Sequence, residues 1–251
     1  MAQQRLDKII ASPCRMSRRA GMTLSLEGRA RVDERIAASA EDKCDPLTAR
    51  ISVNGEELFY REHTYVMLHK PAGVLSATED GRGETVLDLL APEYRKIGLF
   101  PVGRLDKDTE GLLLLTDDGA LAHDLLAPKK HVDKVYFVRT DGALDDADCK
   151  AFEQGITLGD GLECLPAKLE ILKSDAQSEA LITIREGKFH QIKRMLASRG
   201  KPVVYLKRLS MGSLTLDEGL SKGEYRMLTA EEIKNLRESG QFAQGKAGAD
   251  K

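Results

Sequence analysis

Four consecutive leucines occupy residues 112–115, with Gly111 before them and the turn-forming Asp117, Asp118 and Gly119 after them. A short apolar run bounded by turn residues is typical of a strand that is buried on both faces. Charged residues precede the run, so a loop rich in carboxylates leads into the core. Carboxylates at such a rim can be partly desolvated and still reach a ligand, a setting in which proteins perturb acids for chemistry. From this stretch alone, an ordinary solvated turn is an equally good interpretation.

Alternating and helical spacings predict the elements on either side of the leucine run. Strands are predicted at residues 65–68, 134–138, 181–184, 203–206 and 208–211. Helices are predicted at residues 85–90, 120–126, 141–154 and 188–199. The last helix would place Phe189, Ile192, Met195 and Leu196 on one apolar face. Many short strands between a few helices indicate an α+β domain, residues 62–236, with a mostly antiparallel mixed sheet flanked by helices.

Residues 1–59 have the pattern of a small separate module. Apolar spacing predicts a first helix, and Ser17 is a suitable N-cap for a second helix from Arg18, although the interior Gly21 costs that helix about 1 kcal/mol. Asn54-Gly55 after an alternating stretch is a hairpin signal. A polar hinge is expected over residues 56–64, and residues 239–251 are expected to form a disordered tail.

Charge is distributed unevenly, although the formal net charge is only −2. Residues 1–35 hold eight Lys and Arg against four Asp and Glu, and residues 185–208 hold eight against one, Glu186. Two separated basic segments favour a phosphate backbone as the partner, because Lys and Arg displace its condensed counterions. Chance clustering on a mixed surface is the alternative.

Several classes of function have no support in the sequence. No glycine-rich phosphate loop follows a strand, and no Ser-His-Asp order with an exposed elbow serine is present. Cys14, Cys44, Cys149 and Cys164 are too far apart for a zinc knuckle or redox pair, and we predict no metal and no disulfide. With no apolar run long enough to cross a bilayer and no signal peptide, we expect a cytoplasmic protein without a membrane partner.

The sequence G-R-L-D at residues 103–106, followed by D-T-E-G-L-L-L-L-T-D-D-G at residues 108–119, resembles the signature of RNA pseudouridine synthases of the RsuA branch. This resemblance covers most of residues 62–236. It implies that Asp106 is the catalytic aspartate and that Arg104 occupies the space vacated by a flipped base. It also implies that Tyr136 stacks on the uracil and that Lys193 pairs with the aspartate. Without the resemblance, Tyr136 reads equally as a half-buried strand tyrosine and Lys193 as added charge.

The first module is similar to S4-type RNA-binding domains. The similarity lies in R-L-D-K at residues 5–8, M-S-R-R at residues 16–19 and G-R-A-R-V at residues 28–32. It implies a set of basic side chains that contact RNA phosphates, and the second basic segment adds Lys188 and Arg194 to that set. The first-module members are Lys8, Arg15, Arg18, Arg19, Arg29 and Arg31.

Isomerisation of uridine to pseudouridine requires the base to leave the stack and a carboxylate to act on the nucleotide, by covalent attack or by assisting deprotonation of the sugar. No redox step occurs, so we expect no cofactor. The sequence G-K-F-H-Q-I-K-R-M at residues 187–195 resembles the small-subunit enzymes, which favours a uridine of 16S rRNA as the substrate. The alternatives are 23S rRNA, or an inactive S4-domain assembly factor. We expect a monomer.

Overall fold

The computed structural model of the protein describes residues 3–11, 17–44, 49–58 and 63–241. The chain divides into two compact units, an N-terminal unit of Met1–Thr64 and a C-terminal unit of Tyr65–Lys251. Each unit contains helices and strands, and Cys149 and Cys164 of the C-terminal unit are free thiols. No described helix has the length and apolar character needed to cross a lipid bilayer.

The N-terminal unit packs two short helices on a small antiparallel sheet. Its elements are β1 (Gln4–Arg5), α1 (Leu6–Ala11), α2 (Arg18–Leu26), β2 (Ala30–Val32), β3 (Arg35–Ile36), β4 (Lys43–Cys44), β5 (Ile51–Val53) and β6 (Glu56–Leu58). The described strands form a four-stranded sheet in the order β3-β2-β5-β6 and a separate β1-β4 pair. The turn at Asn54 and Gly55 joins β5 to β6 as predicted, whereas residues 56–58 are a strand and not part of a hinge.

The second helix of this unit is confirmed, and Gly21 explains how it packs. The Ser17 hydroxyl accepts a hydrogen bond from the Ala20 amide at 3.2 Å, so Ser17 is the N-cap. A Cβ added at Gly21 would lie 2.9 Å from the carbonyl oxygen of Asp7 in α1. The glycine therefore lowers the helix propensity of α2 but permits its backbone to approach α1 closely.

The C-terminal unit is built around one large mixed sheet. Its elements are β7 (Tyr65–Lys70), β8 (Phe100–Pro101), β9 (Glu110–Thr116), α3 (Gly119–Leu126), β10 (Lys134–Asp141), α4 (Asp146–Gln154), β11 (Lys168–Lys173), β12 (Gln177–Ile184), α5 (Gln191–Ser198), β13 (Val203–Met211), β14 (Leu214–Thr215), β15 (Tyr225–Met227) and α6 (Ala230–Gln241). The strand order is β11-β12-β10-β13-β9-β7-β15, with β8 beside β9 and β14 beside β13. Strands β9 and β13 pair in parallel and the other pairs are antiparallel, which confirms the α+β prediction.

The four leucines of β9 are fully buried because the sheet has a hydrophobic core on each face. Successive strand side chains point to opposite faces. Leu113 and Leu115 pack in one core with Phe152 of α4 and with residues of α5. Leu112 and Leu114 pack in the other core with residues of α3 and α6. A strand that is covered on both faces needs an unbroken apolar run, and residues 112–115 supply it.

Several predicted elements differ from the structure. The helices predicted at 141–154 and 188–199 begin later, at Asp146 and Gln191. Residues 85–90 form successive turns instead of a helix, and the Asp88 carboxylate accepts hydrogen bonds from the amide and hydroxyl of Thr85, both at 2.9 Å. The two strands predicted at 203–206 and 208–211 are one continuous strand, β13. Helix α6 extends to Gln241, so residues 239–241 are helical, and the rest of the predicted tail lies outside the described residues.

We expect Gly111→Ala to destabilise the C-terminal unit strongly. Gly111 has φ +105°, and an added Cβ would lie 2.2 Å from the backbone oxygen of Arg208 in the neighbouring β13. Strain in φ together with a backbone clash should reduce the free energy of unfolding by about 4 kcal/mol or more. Gly119→Ala, where an added Cβ meets nothing within 4 Å, is the control and should change stability by less than about 1 kcal/mol. Equal denaturation midpoints for Gly111→Ala and wild type would contradict this close approach.

Candidate active site

The loop that precedes β9 is held by a buried lysine at the end of β7. The Nζ atom of Lys70 lies 2.9 Å from the carbonyl oxygen of Pro71, 3.1 Å from that of Asp106, 3.2 Å from that of Lys107 and 2.9 Å from that of Thr109. Burial lowers the pKa of Lys70 to about 8, and the charges of nearby carboxylates oppose that lowering. At neutral pH Lys70 is therefore a cation. It donates hydrogen bonds to backbone carbonyls that take no part in strand or helix hydrogen bonding.

Further hydrogen bonds fix the residue just before Asp106. The Ser76 hydroxyl donates to the carbonyl oxygen of Leu105 at 2.9 Å and accepts from its amide at 3.1 Å. The Gly73 amide donates to the carbonyl oxygen of Lys107 at 2.7 Å. Leu105 is buried in the core, and Asp106 on its other side is a quarter exposed. The loop backbone is thus anchored on both sides of Asp106 while its carboxylate faces the solvent-accessible side.

Lys193 in the first turn of α5 lies between two carboxylates. Its Nζ atom is 3.0 Å from Oδ2 of Asp106 and 2.5 Å from Oδ1 of Asp108. Burial disfavours the ammonium form of Lys193, but the hydrogen bonds to Asp108 and Asp106 outweigh it and raise the pKa. The hydrogen bond from Lys193 lowers the pKa of Asp108. The Asp106 carboxylate therefore faces a cation that stays charged across the neutral range.

The segment before α5 differs from the predicted helix. The helix begins at Gln191, because His190 has a left-handed backbone (φ +48°) and the Gln191 side-chain oxygen accepts from the Lys188 amide at 3.0 Å. Ile192, Met195 and Leu196 are buried as predicted, but Phe189 is 73% exposed and does not belong to their face. The Phe189 ring stacks on the His190 ring, with centroids 3.8 Å apart and planes 19° apart. His190 Nε2 lies 3.6 Å from Oδ1 of Asp106.

A cavity next to Asp106 brings the four predicted catalytic residues together. Arg104, Asp106, Tyr136 and Lys193 line an inner cavity of about 60 Å³. Tyr136 lies in β10 and is only 7% exposed. The inner cavity adjoins an outer groove of about 800 Å³, which Arg104, Asp106 and Tyr136 also line. A carboxylate, a cation paired with it, a tyrosine and an arginine therefore converge from three separate parts of the chain, since Arg104 and Asp106 share one loop.

Comparison with known proteins identifies the family of this chain. The family model described as RNA pseudouridylate synthase matches residues 64–198. The chain belongs to the RsuA-type RNA pseudouridine synthases. It is 48% identical to the uncharacterized RNA pseudouridine synthase YtzG of Bacillus subtilis. The aligned region covers 93% of this chain and 98% of that protein. A crystal structure of a pseudouridylate synthase superimposes with a TM-score of 0.65 at 35% identity, covering 92% of this chain and 99% of that one.

Relatives named for two different ribosomal subunits are similarly close. Ribosomal small subunit pseudouridine synthase A of Vibrio cholerae is 39% identical, over 92% of this chain and 99% of that protein. Ribosomal large subunit pseudouridine synthase B of Bacillus subtilis is 37% identical, over 93% of this chain and 96% of that protein. The protein is accordingly an isomerase of the pseudouridine synthase class, and identity alone does not separate the two kinds of RNA.

The basic residues of the synthase that were predicted to bind RNA are partly engaged within the protein. Lys188 lines the inner cavity, but its Nζ lies 3.0 Å from Oε2 of the buried Glu186. Arg194 is turned towards Asp160, with Nη2 2.5 Å from Oδ2. Each charge is therefore compensated locally, which reduces what either would contribute to phosphate binding.

The N-terminal unit exposes most of its predicted contacts. Lys8, Arg19, Arg29 and Arg31 are exposed, and Arg29 and Arg31 line one groove of about 710 Å³. Arg29 is held by the Asn54 side-chain oxygen at 2.6 Å. Of the two remaining predicted contacts, Arg15 lies outside the described residues, and for Arg18 the structure describes only its place in α2.

Five residues of this synthase site were not predicted from the sequence. The strand predicted at residues 65–68 ends before Lys70, and Lys70, Asp108 and His190 had no assigned role. Lys134 and Arg208 are buried cations that both line the outer groove. Arg208 is 2% exposed, and its Nη2 has no hydrogen-bond partner among the described residues. Burial, and then the charge of Arg208, lower the pKa of Lys134 to about 8. The only sequence signal for Lys134 and Arg208 was their place as the first, charged residue of a predicted apolar strand.

We expect Lys70→Met to loosen the Asp106 loop and destabilise the synthase unit. Four carbonyl oxygens would lose the ammonium donor, and those of Asp106 and Lys107 would keep only a backbone amide. This loss should lower the free energy of unfolding by about 3 to 5 kcal/mol. Hydrogen exchange at the Leu105 and Thr109 amides should accelerate. Lys96→Met, at an exposed lysine, is the control and should stay within about 0.5 kcal/mol of wild type. Unchanged exchange at both amides in Lys70→Met would contradict the anchoring role.

Proposed function

We propose that this synthase isomerises a uridine of 16S rRNA to pseudouridine and that Asp106 is its catalytic residue. The observation that carries the proposal is the position of the Asp106 carboxylate, which lines the inner cavity together with Tyr136 and lies 3.0 Å from Lys193. The G-K-F-H-Q-I-K-R-M sequence and the small-subunit relative support 16S rRNA. The large-subunit relative makes 23S rRNA the second candidate.

The reaction breaks the bond between C1′ of the ribose and N1 of uracil and forms a bond between C1′ and C5. The target base leaves the RNA stack, at a cost of a few kcal/mol, and enters the cavity beside Tyr136. Arg104, which is exposed at the cavity edge, takes the place of the extruded base. Asp106 then promotes release of the uracil, by attack on the nucleotide or by removing a sugar proton. After the ring turns and rejoins, C5 loses its hydrogen as a proton and N1 gains one.

The N-terminal unit supplies binding to the RNA in this proposal. The exposed cations Lys8, Arg19, Arg29 and Arg31 suit a phosphate backbone, and the resemblance to S4 domains supports the same role. Phosphate contacts fix the register of a nucleic acid without reading its sequence. Choice of the uridine then falls to the groove of the synthase unit.

The proposed function predicts release of tritium from rRNA labelled at uridine C5, because each turnover removes that hydrogen. Wild-type protein should release tritium from 16S rRNA and not from 23S rRNA, and Asp106→Asn should release none while binding RNA as tightly. Asp124→Asn, on an α3 surface away from the cavity, is the matched control and should match wild type. Equal release by Asp106→Asn and wild type would exclude Asp106 from the chemistry. Release from 23S rRNA alone would overturn the 16S assignment.

Lys193 gives a second test, because its two interpretations predict different kinetic changes. If Lys193 acts through its ion pair with the Asp106 carboxylate, Lys193→Met should lower kcat by about 100-fold or more and leave the Kd for RNA within about threefold. Lys193→Arg keeps the cation and should retain most activity. If Lys193 only adds positive charge towards the RNA, Kd should rise and kcat should persist. Single-turnover tritium release and filter binding at fixed salt separate the two results.

A further inference from the structure

An exposed aromatic ring lies in the outer groove at the point where the helix prediction fails. Phe189 is 73% exposed, although a phenylalanine is normally buried. It lines the outer groove, and it does not line the inner cavity. No apolar cluster of the described residues includes it. The ring therefore contributes nothing to the hydrophobic core and presents an apolar face beside Asp106.

The ring is held in place before any ligand arrives. It stacks on His190 at 3.8 Å, and His190 lies 3.6 Å from Asp106. The left-handed backbone at His190 and the side-chain cap of Gln191 on the Lys188 amide define the turn. A non-glycine residue in this conformation is strained, and such strain is concentrated at functional sites. The face of Phe189 opposite His190 is the open one.

The surroundings of this ring suit a single-stranded nucleic acid. The outer groove is lined by the cations Arg104, Lys107, Lys134, Lys188 and Arg208 and by only two acids, Asp80 and Asp106. The Nη2 atom of Arg208 has no partner within the described protein. A cationic groove with an exposed aromatic ring is the arrangement by which proteins bind unpaired nucleotides, because phosphates meet the charges and a base stacks on the ring.

We propose that Phe189, supported by His190, stacks on the base next to the extruded uridine and so selects an unpaired neighbour at the target. The inference rests on the proposed function. Phe189 lines the outer groove and not the inner cavity, so the proposal assigns the target uracil to the inner cavity and the neighbouring base to Phe189. His190 contacts both positions, since its ring stacks on Phe189 and its Nε2 lies 3.6 Å from Oδ1 of Asp106. A purine neighbour, with its larger ring system, should bind more tightly than a pyrimidine.

The test compares variants in the tritium-release assay and in direct binding. Phe189→Leu should raise KM for rRNA by about 5- to 150-fold, the range expected when one stacked base is lost, with kcat within about twofold. Phe189→Tyr and Phe189→Trp keep a stacking face and should match wild type. Leu172→Ala, at a half-exposed leucine of β11 outside the groove, is the control for loss of a surface apolar side chain. Thermal unfolding should be the same for all four.

A binding probe separates this inference from the proposed function. The probes are two nine-residue oligoribonucleotides of cytidine with one central uridine, carrying 2-aminopurine immediately 5′ or 3′ of it. Wild type should quench the fluorescence of one probe, Phe189→Leu should lose the quenching, and the aromatic variants should keep it. Equal quenching and equal KM for Phe189→Leu and wild type would overturn the stacking role, as would absence of quenching by wild type. Failure of wild type to release tritium from any rRNA would instead count against the proposed function.

Discussion

The buried ammonium group of Lys70 is the interaction on which the geometry of the active site depends. A charged group is stable in a protein interior only when hydrogen bonds replace the water it has lost. Three of the four carbonyl oxygens around Nζ belong to the loop that carries Asp106. This loop has no regular secondary structure, so its carbonyls need another partner. The ammonium satisfies them from inside the protein, and the Asp106 side chain can then face the cavity.

The sheet places the other parts of the site at the same level as Lys70. Lys70 lies opposite Gly111 in β9, Gly111 lies opposite Arg208 in β13, and Arg208 lies opposite Tyr136 in β10. Four neighbouring strands thus align these residues in one row across the sheet. The row contains the lysine that anchors the loop, the glycine at the close backbone approach, the buried arginine of the groove and the tyrosine of the cavity. A one-residue slip of β9 would move each leucine into the opposite core and would replace Gly111, the residue that permits the close approach to the Arg208 backbone, by a residue with a Cβ. Side-chain packing and this glycine together therefore fix the row.

The sequence predicted the parts of this arrangement that depend on local patterns. The leucine run predicted β9 because a strand buried on both faces must be apolar at every position. The spacing of Ile192, Met195 and Leu196 predicted α5 because those side chains do face the core. The meeting of Asp106 with Lys193, 87 residues later in the chain, came from the family resemblance, since periodicity carries no information on which loops meet.

The errors have physical causes that single-sequence patterns do not contain. Phe189 fits the helical spacing, but the left-handed backbone at His190 makes the helix begin at Gln191, so Phe189 lies outside the helix and does not share its buried face. Lys70 looks like the polar end of a strand, and only the three-dimensional path of residues 106–109 surrounds it with carbonyl oxygens. In both cases the interpretation that was wrong was also the more common one, because lysine is seldom buried and phenylalanine is seldom exposed.

The position of Lys193 between two acids also fits the electrostatic needs of a site that meets a polyanion. Phosphates entering the groove make the potential around Asp106 more negative and repel its carboxylate. Asp106 is a quarter exposed and Asp108 is three-quarters exposed, although both contact the same ammonium group. Water screens the outer pair more than the inner one, so the inner pair retains more of its attraction as RNA approaches. The protein thereby keeps a cation beside the Asp106 carboxylate inside a groove whose charged side chains are mostly cations.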